Sequence, residues 1–315
     1  VKAEAPSFAV VIPAYEAAGT IGEAIESLRA QTAPAAEIIV CDDGSNDDLE
    51  QALAPFRDQI RLILGEHRGV TAARNELLRA ATADFVVPLD ADDVYAPTRL
   101  QRLGELAAAR PELDILATDA VFVSGGRPSG RFNEKTPFAA ENQADAILDR
   151  CFVICPAMRR ERLLEIGGYD ERLRTAEDWD AYLRLILTGS SAGLVAEPLL
   201  EYRLGSESLT SGRVQTLRER AYMLEKAAAL PGLAADLRNL AERKAAVQRG
   251  RALQEAAREA VAEDAPEARR RLLEVSRAGS VPPRARLGAL VSSLSPRRLR
   301  RLVEATVAGS SGRPR

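Results

Sequence analysis

Histidine and cysteine are scarce in this chain. Its 315 residues include one histidine, His67, and three cysteines, Cys41, Cys151 and Cys155. The cysteines are odd in number and lack metal-ligand spacing, so no cysteine-only metal centre is expected. Cys41 ends an apolar run and reads as a small buried hydrophobe. Such sparing use fits a reducing cytoplasm. Long apolar runs are missing too, and none approaches the ~20 residues of a membrane-spanning helix. The opening "VKAEAPSFAVVIPAY" lacks the charged-then-apolar pattern of a signal peptide. A chain starting at Val1 leaves room for an upstream segment.

What is present suits a soluble globular protein: 46% of residues are hydrophobic and 28% charged. The length allows about two domains at ~150 residues each. Net charge is −3 but unevenly spread. From Pro266 to Arg315 there are twelve arginines against Glu267, Glu274 and Glu304, a balance of +9, so the rest of the chain carries −12. A basic tail on an acidic body needs its own explanation.

The first hundred residues alternate. "FAVVIP", "EIIVCD", "IRLIL" and "DFVVPL" read as strands. "TIGEAIESLRAQ", "DDLEQALAPF", "GVTAARNELLRAAT" and "APTRLQRLGELAAA" read as the helices that follow them, with Thr20 and Glu23 spaced as a capping box. This alternation predicts an α/β protein with a parallel, doubly wound sheet. Farther on, "DILATDAVFVSGGR" predicts a hairpin at Gly125–Gly126. "CFVICPAMRRERLLEIGGYDERL" reads as a strand, a short helix and a loop. "AEDWDAYLRLILTG" is a helix stopped by Gly189, and "GLVAEPLLEYRLG" is one or two strands. Beyond Gly212 the chain reads as helices over Thr216–Ala229, Leu233–Ala262 and Pro266–Arg277. Two more are expected around Leu287–Leu294 and Leu299–Val307, the last capped by Ser295 and Pro296.

In such sheets ligands bind beyond the carboxyl ends of the strands. Here those ends read "PAYE", "CDDGS" and "LDADD", and they should share one cleft. Asp90, Asp92 and Asp93 repel one another, so either they lie on a solvated turn that caps the next helix or a cation sits among them. Two carboxylates at alternate positions, Asp90 and Asp92 flanking Ala91, suit Mn²⁺ or Mg²⁺ with a diphosphate completing the shell. "CDDGS" supplies either an ordinary Asp-Gly turn or acceptors for a base or ribose. Tyr15 can stack on a base or cover the sheet end. Arg74 can neutralise phosphate or make a surface pair. Glu177, Asp178 and Asp180 suit a helix N-terminus, and one of them can also remove a proton from a hydroxyl. Trp179 reads as core first and sugar platform second.

The ordered set "VVIPAYEAAGTIGEAIESLRAQT", "EIIVCDDGSNDD", "RGVTAARNELLRAATADFVVPLDADD" and "GGYDERLRTAEDWDAYLRL" resembles glycosyltransferase family 2, inverting enzymes with a GT-A fold. The resemblance covers about Phe8 to Arg203. It implies a Rossmann-like, mostly parallel central sheet flanked by helices, with a C-terminal all-α extension. It implies a GT-A catalytic domain over residues 1–212 and an α-helical region with a basic tail over 213–315. It also implies roles. Pro13, Tyr15 and Glu16 match the opening segment whose aromatic lies against the base. Asp43, with Asp42 beside it, matches the acid that reads the base. Arg74 matches an arginine near the phosphates. Asp90, Ala91 and Asp92 match the D-x-D that touches ribose and a divalent metal, with Asp93 capping or behind it. Asp178 matches the catalytic base and Glu177 its companion. The implied reaction moves a sugar from a UDP- or dTDP-sugar to a hydroxyl of a glycan, glycolipid or lipid-linked acceptor in bacterial envelope or polysaccharide synthesis.

Two departures stand out. Relatives carry a histidine shortly after the Tyr202-Arg203 pair, where this chain has Gly205 and, nearby, Glu207. His67 falls where relatives have asparagine and reads as a solvated loop residue, with a donor contact as the alternative. The basic tail can lie on anionic lipid at the inner face of the plasma membrane, or pack on the catalytic domain or a second subunit. Homo-oligomerisation stays open, and no nucleic-acid partner is expected. Two other readings compete. Haloacid-dehalogenase-like phosphatases also use strand-end aspartates, but on the first strand rather than the fourth. A degenerate nucleotide-binding scaffold draws its only support from the missing histidine.

Overall fold

The structure is a computed structural model that describes residues 5–204, 212–263 and 266–293. The chain forms two compact units, Val1–Leu209 and Thr210–Arg315.

The first unit opens with β1 (Phe8–Ala14), α1 (Ile21–Arg29), β2 (Glu37–Asp42), α2 (Leu49–Leu53), a 3-10 turn (Ala54–Phe56), β3 (Arg61–Leu64), α3 (Val70–Ala80) and β4 (Phe85–Pro88). These are the alternating elements read from the sequence. β1 is buried at every position, as a strand covered by helices on both faces must be. It pairs in parallel with β2 and β4, and β2 pairs in parallel with β3. Val10, Ile12, Val87 and Leu89 pack with Ile21 and Ile25 of α1 in one core.

The chain continues through β5 (Val94–Tyr95), α4 (Arg99–Ala109), β6 (Ile115–Ser124), β7 (Arg127–Arg131), α5 (Phe132–Lys135), α6 (Gln143–Asp149), β8 (Ala157–Arg159), α7 (Arg160–Glu165), α8 (Glu177–Leu187) and β9 (Ala192–Arg203). Among the described residues the sheet runs β3-β2-β1-β4-β8-β6-β9-β5, with β7 beside β6. Its longest pairing, β6 with β9, is parallel. β8 is antiparallel to both β4 and β6. This reversal directs the residues preceding β8 toward the carboxyl end of β4. The hairpin forms at Gly125 and Gly126, both at positive φ (56° and 74°), the geometry that matches strand twist.

Three expectations need adjusting. Thr20 does not close a capping box: its side chain makes no cap hydrogen bond. Its hydroxyl donates to Ala17 O (3.4 Å), while Glu23 accepts from Arg203 Nη1 (2.6 Å). The strand expected across "CFVIC" begins only at Ala157. The last helix, with its cap at Ser295 and Pro296, lies outside the described residues.

The second unit holds α9 (Arg213–Ala228), α10 (Ala235–Ala262), α11 (Ala268–Arg277) and α12 (Pro283–Ser293). Buried alanines at 241, 245, 252, 257 and 260 line α10. A Cβ at Gly250 would lie 2.4 Å from Ser280 O, so glycine permits that close approach. Val261, Leu272, Val275 and Val281 form a separate small core.

One glycine ties the fold to the cleft. Gly168 sits at φ +70°, and a Cβ there would meet Asn75 Oδ1 at 2.6 Å. Asn75 holds the next residue at both ends, donating to Tyr169 O (2.9 Å) and accepting from Tyr169 N (2.8 Å). Gly168→Ala is expected to destabilise the protein by about 1–3 kcal/mol, read as a lower urea midpoint. Gly22→Ala in α1, where a Cβ meets nothing within 4 Å, should leave that midpoint unchanged or raise it.

Candidate active site

The carboxyl ends of β1, β2 and β4 place Tyr15–Glu16, Asp42–Asp43 and Asp90–Asp92 on one side of the sheet. The register sets Ala14 beside Asp42, and Asp43 N donates to Ala14 O at 2.9 Å.

At the β1–β2 edge, acids shape the loops and aromatics are left open. Asp43 is 5% exposed. Its Oδ1 accepts from Arg68 N (2.9 Å) and its Oδ2 from Gly69 N (2.8 Å), so it anchors the start of α3. Asp42 Oδ1 accepts from Ser45 N (2.8 Å). Glu16, at φ 50°, accepts from Asn46 N through Oε1 (2.8 Å). Pro13 is buried within β1, and Ala91 is buried in the turn after β4. Tyr15 is 45% exposed and stacks on His67, with ring centroids 4.0 Å apart. His67 Nδ1 lies 3.0 Å from Asp43 Oδ2. His67 is exposed in its loop, as read from the sequence, and also lies at this edge. Gly44 allows it, since a Cβ there would lie 2.6 Å from His67 N.

At the β4 edge the sequence placed the acids but not their partner. Arg74, on α3, is 4% exposed. Its Nη1 donates to Glu177 Oε1 (2.8 Å) and Asp178 Oδ1 (2.5 Å), and its Nη2 to Asp90 Oδ1 (2.9 Å). The positive group among the strand-end aspartates is thus a side chain of the protein itself. Glu177 and Asp178 open α8, where the N-terminal dipole favours carboxylates. Burial raises the Asp178 carboxyl above its ordinary range, and the Arg74 charge opposes that rise. Burial also raises Glu177, with the Asp178 charge adding to the effect. The Asp178 side chain stays 35% exposed, open enough to meet an acceptor. Trp179 is 8% exposed and donates Nε1–H to Ile147 O (2.8 Å); it is core.

Asp92 is exposed, and burial of its carboxyl followed by the Asp90 charge raises its affinity for protons. Asp93 does not cap α4, whose N-cap is Thr98. It is 1% exposed; Oδ1 accepts from Arg203 N (2.8 Å), and Oδ2 has no hydrogen-bond partner among the described residues. The donor set of Asp90 and Asp92, backed by this orphaned carboxylate oxygen, fits a hard divalent cation that takes oxygen ligands. Gly205 and Glu207 lie outside the described residues.

Two predictions follow from these charges. Arg74→Met strands three carboxylates and should cost about 3–5 kcal/mol of stability, measured by urea unfolding. The second concerns pH. Burial, then the Asp90 charge, pushes Asp93 up to about 8, against ~3.9 in an unfolded chain. Between those values the folded state binds the extra proton, so stability falls as pH rises. The metal-free protein should melt at a lower temperature at pH 8.5 than at pH 5.5, and Asp93→Asn should shrink that difference. Equal differences would remove Asp93 as a source.

The profile of "Glycosyl transferase family 2" matches residues 9–167. Among curated proteins the chain is similar to the succinoglycan biosynthesis protein ExoU of Rhizobium meliloti, 30% identical over 58% of this chain and 57% of the relative. It therefore spans little more than half of ExoU. It is also similar to the UDP-Glc:alpha-D-GlcNAc-diphosphoundecaprenol beta-1,3-glucosyltransferase WfgD of Escherichia coli, 23% identical over 67% of this chain and 82% of the relative. Among solved structures, S. aureus TarS 1-349 in complex with UDP-GlcNAc superposes with a TM-score of 0.66 at 18% identity, covering 96% of this chain and 92% of that one. The mannosyltransferase PcManGT from Pyrobaculum calidifontis, in complex with GDP-Man and Mn²⁺, superposes with a TM-score of 0.60 at 21% identity, covering 95% and 84%. The structures agree in fold and the profile spans half the sequence: the chain belongs to glycosyl transferase family 2 and has the GT-A fold.

Proposed function

We propose that this glycosyltransferase moves a sugar, with inversion, from a nucleoside-diphosphate donor to an acceptor hydroxyl, and that a divalent cation assists. The observation that carries this reading is the Arg74 bridge. One guanidinium holds both Asp90, on the donor side, and Asp178, at the start of α8. A base and a diphosphate site within one side chain's span suit a direct displacement. The Asp178 carboxylate takes the acceptor hydroxyl proton, and its burial makes it a better base than a solvated aspartate. The acceptor oxygen bonds to the anomeric carbon on the face opposite the departing diphosphate, whose bond to that carbon breaks. A cation at Asp90 and Asp92 supplies charge stabilisation to the leaving group. Tyr15 and His67 offer the flat surface for the base, and Asp43 fixes the loop around it. The retained acids argue against the scaffold reading.

UDP is the favoured donor nucleotide, in line with the UDP-GlcNAc complex of TarS, and Mn²⁺ or Mg²⁺ the favoured cation, in line with PcManGT. The likeness to WfgD, a glucosyltransferase acting on a diphosphoundecaprenol-linked sugar, supports a lipid-linked acceptor in polysaccharide synthesis. No helix among the described residues is long and apolar enough to cross a membrane. On α11 and α12, however, Arg269, Arg270, Arg277 and Arg284 are exposed alongside Leu287 and Leu290. That pairing of cations with apolar side chains suits the surface of an anionic bilayer.

Calorimetry with UDP, dTDP and GDP, with and without Mn²⁺, tests the donor site. Metal-dependent binding of one nucleotide, lost in Asp92→Ala, is expected. Asp178→Asn should lower turnover by about 10²–10⁴-fold with nucleotide affinity little changed; undiminished transfer would sink the base assignment. Flotation with anionic vesicles at low salt should carry the protein, and reversing Arg269, Arg270 and Arg284 to glutamate should release it.

A further inference from the structure

Two carboxylates and a thiol meet at the root of the cleft. One oxygen of Asp90, one of Asp93 and Cys155 Sγ all lie within 4.8 Å of one another. The sheet explains the meeting. β8 runs antiparallel to β4, with Val86 opposite Met158, so Cys155, just ahead of β8, reaches the end of β4 where the aspartates begin. The backbone of Cys155 sits at φ 40°, a left-handed conformation uncommon outside glycine. Its carbonyl accepts from Nη2 of the fully buried Arg99 (2.6 Å). Arg99 thus anchors the backbone that carries the thiol.

This is not a solvated acidic patch. Asp93 is 1% exposed and Cys155 5%. Among the described residues Asp93 Oδ2 has no hydrogen-bond partner, a costly condition for a buried carboxylate oxygen. Asp93 Oδ1 is already taken by Arg203 N, and Arg74 binds Asp90 rather than Asp93. Arg99 is the nearby buried cation, but its hydrogen bond goes to the Cys155 carbonyl, so Asp93 Oδ2 is left for a proton or a bound ion.

We propose that Asp90, Asp93 and Cys155 form a second cation site, selective for a thiophilic divalent ion of the zinc class. A thiolate ligand favours such an ion, whereas Mg²⁺ and Mn²⁺ prefer oxygen and water. Three protein ligands leave a fourth position open, as zinc accepts. Binding replaces the Cys155 S–H bond with a sulfur–metal bond, and the thiol proton, with any proton held on Asp93, leaves to solvent with no change in oxidation state. Because Asp90 belongs to both sites, occupancy here withdraws it from the donor-side cation. That competition, unlike the site itself, rests on the donor reading given above. The ion thus acts as an inhibitor of transfer.

Co²⁺ is the probe, used on the full chain with Cys41→Ser and Cys151→Ser so that Cys155 is the only thiol. The titration should produce a sulfur-to-cobalt charge-transfer absorption saturating at one equivalent. Zn²⁺ should displace the cobalt and Mg²⁺ should not. Cys155→Ser should abolish the band, Asp93→Asn should weaken Co²⁺ binding by about tenfold or more, and Asp92→Asn should leave the band in place. A second readout guards against misfolded variants: Zn²⁺ should raise the melting temperature of the unsubstituted protein and raise that of Asp93→Asn less. No band, a band that survives Cys155→Ser, a band lost equally in Asp92→Asn, or no Zn²⁺ shift would overturn the proposal. UDP binding measured with Mg²⁺ on cobalt-free samples of the same protein separates the two readings. Absent UDP binding with an intact cobalt band removes the donor-site reading alone, and the reverse removes only the second cation site.

Discussion

The site depends on one guanidinium. Arg74 is the cation that lets Asp90, Glu177 and Asp178 share a small volume. Those acids come from two distant stretches, the end of β4 and the start of α8, and without a shared counter-charge they would repel. Each hydrogen bond to Arg74 is charge-assisted. Arg74 therefore joins α3 and α8 to the sheet and sets the distance between the two halves of the cleft. Tyr169 adds a face to the same group, with the guanidinium carbon 5.8 Å from its ring centre. Its loop is held in turn by Asn75, one residue after Arg74, so neighbouring positions of α3 fix both the charge and the wall beside it.

The sheet supplies the rest by direction alone. Parallel strands deliver three polar ends to one edge, and a single reversed strand delivers a fourth group there. β8 has three residues, yet its direction decides that Cys155 and not the far end of that segment meets the aspartates. β9 does the same with Arg203, whose backbone N–H reaches Asp93. The aromatic edge is built differently. Tyr15 and His67 come from separate strand ends and pack on each other, held by the backbone turn at Gly44. The cleft has a stiff, charged floor beside an open, flat rim.

Much of this was legible in the sequence because it is local. Strand ends, helix faces, the Gly-Gly hairpin and the order of acidic motifs are set by neighbours along the chain, and they lie where periodicity and turn chemistry put them. What escaped depends on contacts across about a hundred residues. Arg74 read as a phosphate group or a surface pair because nothing near it in sequence reveals Asp178. Cys155 looked like one of three inert thiols because the reversal at β8 leaves no periodic signature. Glu23 matched a capping box and was drawn away by Arg203, a partner 180 positions on. Asp93 matched a helix cap, yet a strand far along the chain claims its carboxylate.

These charges leave the site out of balance by its own construction. Asp90, Glu177 and Asp178 gather around Arg74, and Asp92 and Asp93 crowd Asp90. Arg203 spends its side chain on Glu23 and Glu201, and Arg99 stacks over Tyr95. Arg99 and Arg203 still act on Asp93 and Asp92 through space, yet five acids outnumber the three arginines near them. The remainder must hold protons or await a cation, and the upward shift of Asp93 marks where a proton is held. A protein selected only for stability would replace some of these acids with amides. Keeping them stores unfavourable charge that a bound cation relieves, so ligand binding and folding stability draw on the same electrostatic imbalance. The excess of acid over base is what gives the cleft its pull on a metal–diphosphate, and Arg74 keeps that excess small enough for the metal-free chain to fold.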